Sequence, residues 1–151
     1  MIYVQINNKY KNDINQEILF NAAKAVKSYL NIQESISLTI AIEDDNKLIK
    51  LNLAYRGINK ATDVLSFESN IVDPETGNTY LGDVIISFDS ALSQASSHHH
   101  DVHDELQLLV IHGILHLLGY DHGTQDDKLE MWEIQTKILA QIGSEFNNHI
   151  E

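Results

Sequence analysis

Apolar residues recur along this chain with two different periods, and the switches between them outline its elements. Residues 1–6, MIYVQI, read as a strand. Residues 15–30 set Ile18, Leu19, Ala22, Ala25, Val26 and Tyr29 on one helical stripe. SLTIAI at 37–42 is rich in β-branched residues and reads as a second strand. Glu43, Asp44 and Asp45 close it and supply a cap for a helix through Leu48, Ile49, Leu51, Leu53 and Ala54, which Arg56 and Gly57 end. VLSF after Asp63 and VIISF after Asp83 predict two more short strands. The loop between them, with Gly77 and the only proline, Pro74, is expected to be mobile. Asp89–His98 reads as a helix starting at the aspartate, and His103–Leu118 as a longer one closed by Gly119. A last helix runs from about Gln125 to Ile142.

No repeat, linker or composition break divides residues 1–151, and no regular βαβ period orders them. The expectation is a single domain of α/β (α+β) class, a small mixed sheet of about four strands packed on helices, with a metal site on a helix and its following turn. Strand order does not follow from the pattern.

Composition narrows the chemistry. No apolar run approaches the roughly 20 residues of a membrane-spanning helix. The first residues lack a basic leader ahead of an apolar stretch, so the sequence-based expectation is a cytoplasmic protein without membrane partners. There is no cysteine, so a metal must be held by His, Asp or Glu, and eight histidines are available. The net charge of −12 argues against coating nucleic acid through long-range attraction. Residues 1–60 nevertheless carry eight basic and six acidic side chains, against two and sixteen in the remainder, so a phosphate-bearing ligand would approach the N-terminal half. Arg56, the only arginine, lies at the edge of that half. A solvated acidic face is the plainer reading of the asymmetry.

The informative segment is VIHGILHLLGYDH at 110–122. Residues four apart share a helix face, so His112 and His116 can aim both imidazoles at one point. Gly119 is the residue best able to reverse the chain there, after which His122 can return as a third nitrogen donor. Three neutral donors leave a fourth tetrahedral position for water, the composition of a catalytic zinc site. Either helical histidine alone would read as a core residue bonded to backbone, because Leu106, Leu108, Leu109, Val110, Ile111, Ile114, Leu115, Leu117 and Leu118 make this helix apolar almost all round. Metzincin proteases share the spacing, but where their glutamate base stands this chain has Gly113, which leaves a metzincin-like peptidase as an alternative reading.

With these residues in view, the chain resembles the YbeY family, rRNA maturation factors regarded as metal-dependent single-strand endoribonucleases. The likeness rests on HGILHLLGYDH (112–122) and LNLAYRGINKATDVLSFE (51–68), supported by LGDVIIS (81–87) and the last helix containing Met131. It implies an α/β sandwich, His112, His116 and His122 as ligands of one Zn2+ per chain, and Arg56 as the arginine associated with activity. It also implies precursor ribosomal RNA, the ribosome or ribosome-associated factors as partners. The family's R-G-x-D-K-P-T-D pattern departs here at Asn59 and Ala61. A site with His116 on the metal and Arg56 on the phosphate needs no separate carboxylate base, because a metal on three neutral donors can lower the pKa of bound water towards about 7. A non-catalytic zinc protein assisting ribosome assembly is the other alternative, and three histidines would also accept other divalent metals.

Other residues carry weaker signals. Arg56 could instead pair with Asp63 or Asp83. Asp121 is open between orienting a ligand imidazole and a hydrogen bond in the turn. His98, His99, His100 and His103 invite a second metal site, but consecutive histidines point in different directions, so a solvated loop is the preferred reading, although His100 aligns with a histidine common in the resembling family. Glu105 lies about two turns before His112, too far to act as its base. Met131 reads as core, with a Met-turn beneath the histidines as the other reading. Lys47, Lys50 and Lys60 with Arg56 make either a modest phosphate track or scattered surface charge.

Overall fold

In the computed structural model, which describes residues 1–121 and 123–143, every α-helix starts where a polar side chain takes up a free backbone N–H. Asn15 caps α1 (Gln16–Tyr29), Asp44 caps α2 (Asp45–Arg56) and Ser87 caps α3 (Phe88–Ser97). Asp101 caps α4 (Val102–Leu117), and Thr124 caps α5 (Gln125–Gln141). The strands are β1 (Ile2–Ile6), β2 (Ile36–Glu43), β3 (Val64–Val72) and β4 (Thr79–Ser87). A short 3-10 turn at Asn8–Tyr10 precedes α1.

The sheet runs β1-β2-β4-β3, with β1, β2 and β4 parallel and β3 antiparallel to β4 at the edge. Along β2, Leu38, Ile40 and Ile42 are buried and the residues between them partly exposed, as one covered face requires. On the opposite face Tyr80 donates to Asp83 and takes a hydrogen bond from Thr39. Burial and the Asp83 carboxylate push its phenol up to about 12, so it remains a neutral donor.

The covered face packs against α4, which is also flanked by α1, α3 and α5. That position explains why Leu106, Leu109, Ile111 and Leu115 are all fully buried although they circle the whole helix. Contact is close at Gly113, where a Cβ would lie 2.4 Å from Val84 Cγ1, and Ser66 Oγ donates to the Gly113 carbonyl at 2.8 Å.

The architecture matches the sequence expectation of a mixed sheet of four strands on helices. Two local readings change. Helix α3 begins at Phe88 on Ser87, because the Asp89 carboxylate is committed elsewhere, to the Tyr10 hydroxyl and the Asp45 N–H. The β3–β4 connection is shorter than the strand pattern suggested: both strands extend to a hairpin in which Gly77 N–H donates to the Asp73 carbonyl and Glu75 N–H to the Asp73 side chain.

Candidate metal centre

His112 and His116 sit one turn apart on α4, in the stretch held between the sheet and α5. Their rings meet edge to face with centroids 4.6 Å apart, and their Nε2 atoms are 3.1 Å apart. His112 is buried, and its Nδ1 lies 2.5 Å from Gln135 Oε1 of α5. An amide oxygen only accepts, so this contact puts the His112 proton on Nδ1 and leaves the Nε2 lone pair facing His116. Zinc–nitrogen bonds of about 2.0–2.1 Å in a tetrahedron place neighbouring nitrogens roughly 3.3 Å apart. The pair is therefore close to the spacing that one shared cation would impose, and its donor chemistry fits zinc.

The helix then ends as that geometry requires. Gly119 adopts φ +98, its N–H reaches the His116 carbonyl and the Tyr120 N–H reaches that of Leu115, which reverses the chain two residues after α4. His122, the third predicted ligand, lies outside the described residues. Asp121 is exposed.

Beside His112 opens a cleft of about 300 Å³ lined by Gln125, Lys128, Leu129, Met131, Trp132 and Gln135. Met131 is both core and cleft floor, buried within the hydrophobic cluster while lining the space next to His112. Gly113 stands where a metzincin carries its base, and it faces Val84 so closely that a side chain there would force the helix and sheet apart, so the glutamate-dependent route has neither its carboxylate nor ready space at this position.

Arg56 ends α2 and is exposed, with no ion pair to Asp63 or Asp83. Those two carboxylates accept instead from Gln94 and Tyr80. Its neighbour Tyr55 packs edge-on against Phe67 of β3, whereas the adjacent Ser66 reaches α4. Successive strand residues face opposite ways, so Tyr55 rests on the sheet face away from the histidines. Among the described residues no hydrogen bond joins Arg56 to the pair. Lys47, Lys50 and Lys60 are exposed on α2 and the loop after it.

The solvated-loop reading of the histidine run holds for the exposed His99 but not for the run as a whole. His98 and His100 both turn onto Glu105, and these three residues form a cluster that could hold a metal ion. His103 instead fastens α1: its Nε2 accepts from Asn15 N–H, and its Nδ1 lies 2.9 Å from Asp101. Gln135 went unnoticed in the sequence and Glu105 was weighed only as a base for His112, yet each left a signal, a polar side chain inside an otherwise apolar helical stripe.

A mixed sheet of four strands packed on a buried helix that carries paired imidazoles defines an α+β protein with side chains able to ligate a metal. The profile of the family described as Endoribonuclease YbeY matches residues 3–143, and the chain belongs to that family. Relatives named Endoribonuclease YbeY include one from Syntrophomonas wolfei, 34% identical over 84% of this chain and 86% of its own. One from Brevibacillus brevis is 36% identical over 85% and 87%, and one from Roseiflexus sp. is 35% identical over 93% and 91%. The solution structure of a Thermotoga maritima protein superposes with a TM-score of 0.63 at 25% identity, covering 94% of this chain and 89% of that one.

Proposed function

We propose that this chain is a zinc-dependent, single-strand-specific endoribonuclease of ribosomal RNA maturation and ribosome quality control, acting in the cytoplasm with precursor rRNA and the ribosome as partners. The observation that carries the metal assignment is the convergence of the His112 and His116 Nε2 atoms at 3.1 Å, with the far side of His112 tied to Gln135. His122 completes the ligand set in this reading. Zinc on three neutral nitrogens supplies Lewis-acid polarisation of a phosphoryl oxygen and activation of water. Gln135 holds the His112 ring in the tautomer that can ligate, and the rigid α4 backbone fixes the separation of the two imidazoles. Arg56, uncommitted to any carboxylate among the described residues, is the candidate guanidinium for the non-bridging phosphate oxygens, reached by the RNA around the β3 edge. The cleft beside His112, with Trp132 and Lys128 on its wall, offers an aromatic surface and a positive charge for a nucleotide. No helix among the described residues is long and apolar enough to cross a membrane.

The test is cleavage of a labelled single-stranded rRNA fragment by the wild type, His116→Ala and Arg56→Ala, purified identically, with metal content measured on each. Metal-loaded wild type should cleave, His116→Ala should lose both metal and cleavage, and Arg56→Ala should keep its metal and lose about 100-fold in rate. Equal cleavage by wild type and His116→Ala, or none by a fully loaded wild type, would refute the nuclease and favour a zinc-binding assembly factor.

A further inference from the structure

The corner between α3 and α4 is built to bring three metal-ligating side chains together. Helix α3 ends with His98 as its cap, and His99 then takes φ +58. The His100 N–H donates back to the Ala95 carbonyl at 3.1 Å and the His99 N–H to that of Ser96 at 3.3 Å. This paired closure turns the chain through one left-handed residue, so the side chains on either side of it fall on one side of the turn. Asp101 then starts α4, whose first turn contributes Glu105. Glu105 Oε1 receives His100 Nε2 at 2.6 Å and His98 Nδ1 at 3.4 Å, and the three donor atoms lie within 4.8 Å of one another.

A proton on His100 would account for only half of this arrangement. The Glu105 side chain is 0% exposed, and its Oε2 has no hydrogen-bond partner. A buried carboxylate oxygen left in that state is expensive, and so is the buried negative charge itself. A divalent cation set between the three groups would neutralise the carboxylate and engage the lone pairs of two imidazoles at once. Two nitrogens and a carboxylate suit zinc and its neighbours in the transition series rather than calcium or magnesium, which prefer oxygen alone. The side chain of His98 is 32% exposed and that of His100 11%, so an ion would enter from the His98 side and keep room there for a water ligand.

We infer that His98, His100 and Glu105 form a second site for a divalent transition-metal ion, separate from the His112–His116 pair. Glu105 and His112 stand seven residues apart on one helix, about 10 Å at 1.5 Å per residue, too far for a dinuclear pair with ions roughly 3.5–4 Å apart. The second ion clamps the end of α3 to the start of α4, and its role is structural.

The experiment uses the full chain, stripped of metal with a chelator, reloaded with zinc alone, desalted and assayed for bound zinc and for melting temperature. Four proteins are compared: wild type, His98→Ala, His116→Ala and the double variant, each checked for its helical circular-dichroism spectrum. Two ions in the wild type, one in each single variant and none in the double variant support the inference. So does one ion in the wild type that His116→Ala keeps and His98→Ala loses, a result that would refute the His112–His116 centre alone. Zinc should raise the melting temperature of His116→Ala and leave that of the double variant unchanged. Should His98→Ala fail to fold, His98→Gln replaces it. The inference is overturned if the His98 variant holds as much zinc as the wild type, or if folded His116→Ala holds none; either result would make the cluster a hydrogen-bond lock on Glu105.

Discussion

Gly113→Ala is the substitution that most directly tests why the helix carrying the histidine pair sits where it does. The added methyl carbon would lie 2.4 Å from Val84 Cγ1, 3.1 Å from Cγ2 and 3.3 Å from Cβ, all within a core that is closed on both sides. Carbon atoms pack at about 3.5–4.0 Å, so α4 and β4 would have to separate by roughly 1 Å. In an exposed helix the same change gains about 1 kcal/mol from helix propensity. Overpacking typically costs about 1–3 kcal/mol, and the Ser66 hydroxyl bound to the Gly113 carbonyl at 2.8 Å resists the separation, so the steric cost should win and leave a net loss of about 2 kcal/mol. Val84→Ala alone should also cost about 2 kcal/mol, from two buried methyl groups at about 0.8 kcal/mol each and a small cavity. In the double variant the obstructing carbons are gone and the new methyl fills part of their space. Its loss should therefore fall short of the summed single losses by at least about 1.5 kcal/mol, measured by urea unfolding of all four proteins. Because the displaced residue adjoins His112, zinc affinity should drop in Gly113→Ala and recover in the double variant. Additive losses, within about 0.5 kcal/mol, would refute the claim that this contact sets the helix position.

Gln135→Ala should weaken zinc binding about 10–100-fold in competition with a chromogenic chelator, while Gln135→Glu, which keeps an acceptor for His112 Nδ1, should retain most of it; equal affinity in all three would remove Gln135 from the site. Asp101→Ala should cost about 1 kcal/mol at neutral pH, because it removes the cap of α4. The His103 N–H and side chain hold the Asp101 carboxyl below its usual range, so that contribution is complete above about pH 4 and disappears as pH falls through the lowered value; the gap between wild type and variant in urea titrations should close in acid. Arg56→Ala should change unfolding stability by less than about 0.5 kcal/mol, since the side chain is exposed and pairs with no carboxylate among the described residues.

What could be read from the sequence was local. The apolar stripe of α1, the caps at Asp44 and Gly57, and the turn at Gly119 each depend on neighbours within a few residues, and each stands in the structure as the pattern implies. The placement of β4 between β2 and β3 was not legible, because it is decided by pairings such as Ile40 with Val84 and Leu65 with Ile85, far apart along the chain. Asp89 looked like a helix cap by residue type, and only its distant partners Tyr10 and Asp45 show why Ser87 takes that role. The histidine run failed for a similar reason. Alternation of side chains is a rule for regular backbone, and a non-glycine residue at φ +58 breaks it.

That failure bears on how the acidic half of the chain should be understood. Sixteen of its acidic residues fall after position 60, which counts against RNA if every carboxylate is solvated. Several are not. Glu105 is buried on two histidines, Asp63 and Asp83 are bound to Gln94 and Tyr80, and Asp89 joins Tyr10 to the start of α2. These carboxylates are engaged by other side chains or backbone of the fold, while Arg56, Lys47, Lys50 and Lys60 remain exposed on α2 and its loop. Net charge thus overstates the repulsion a phosphate backbone would meet along an approach over α2. At the proposed metal site, a cation on the imidazoles would add positive charge at short range, where the acidic count is least relevant.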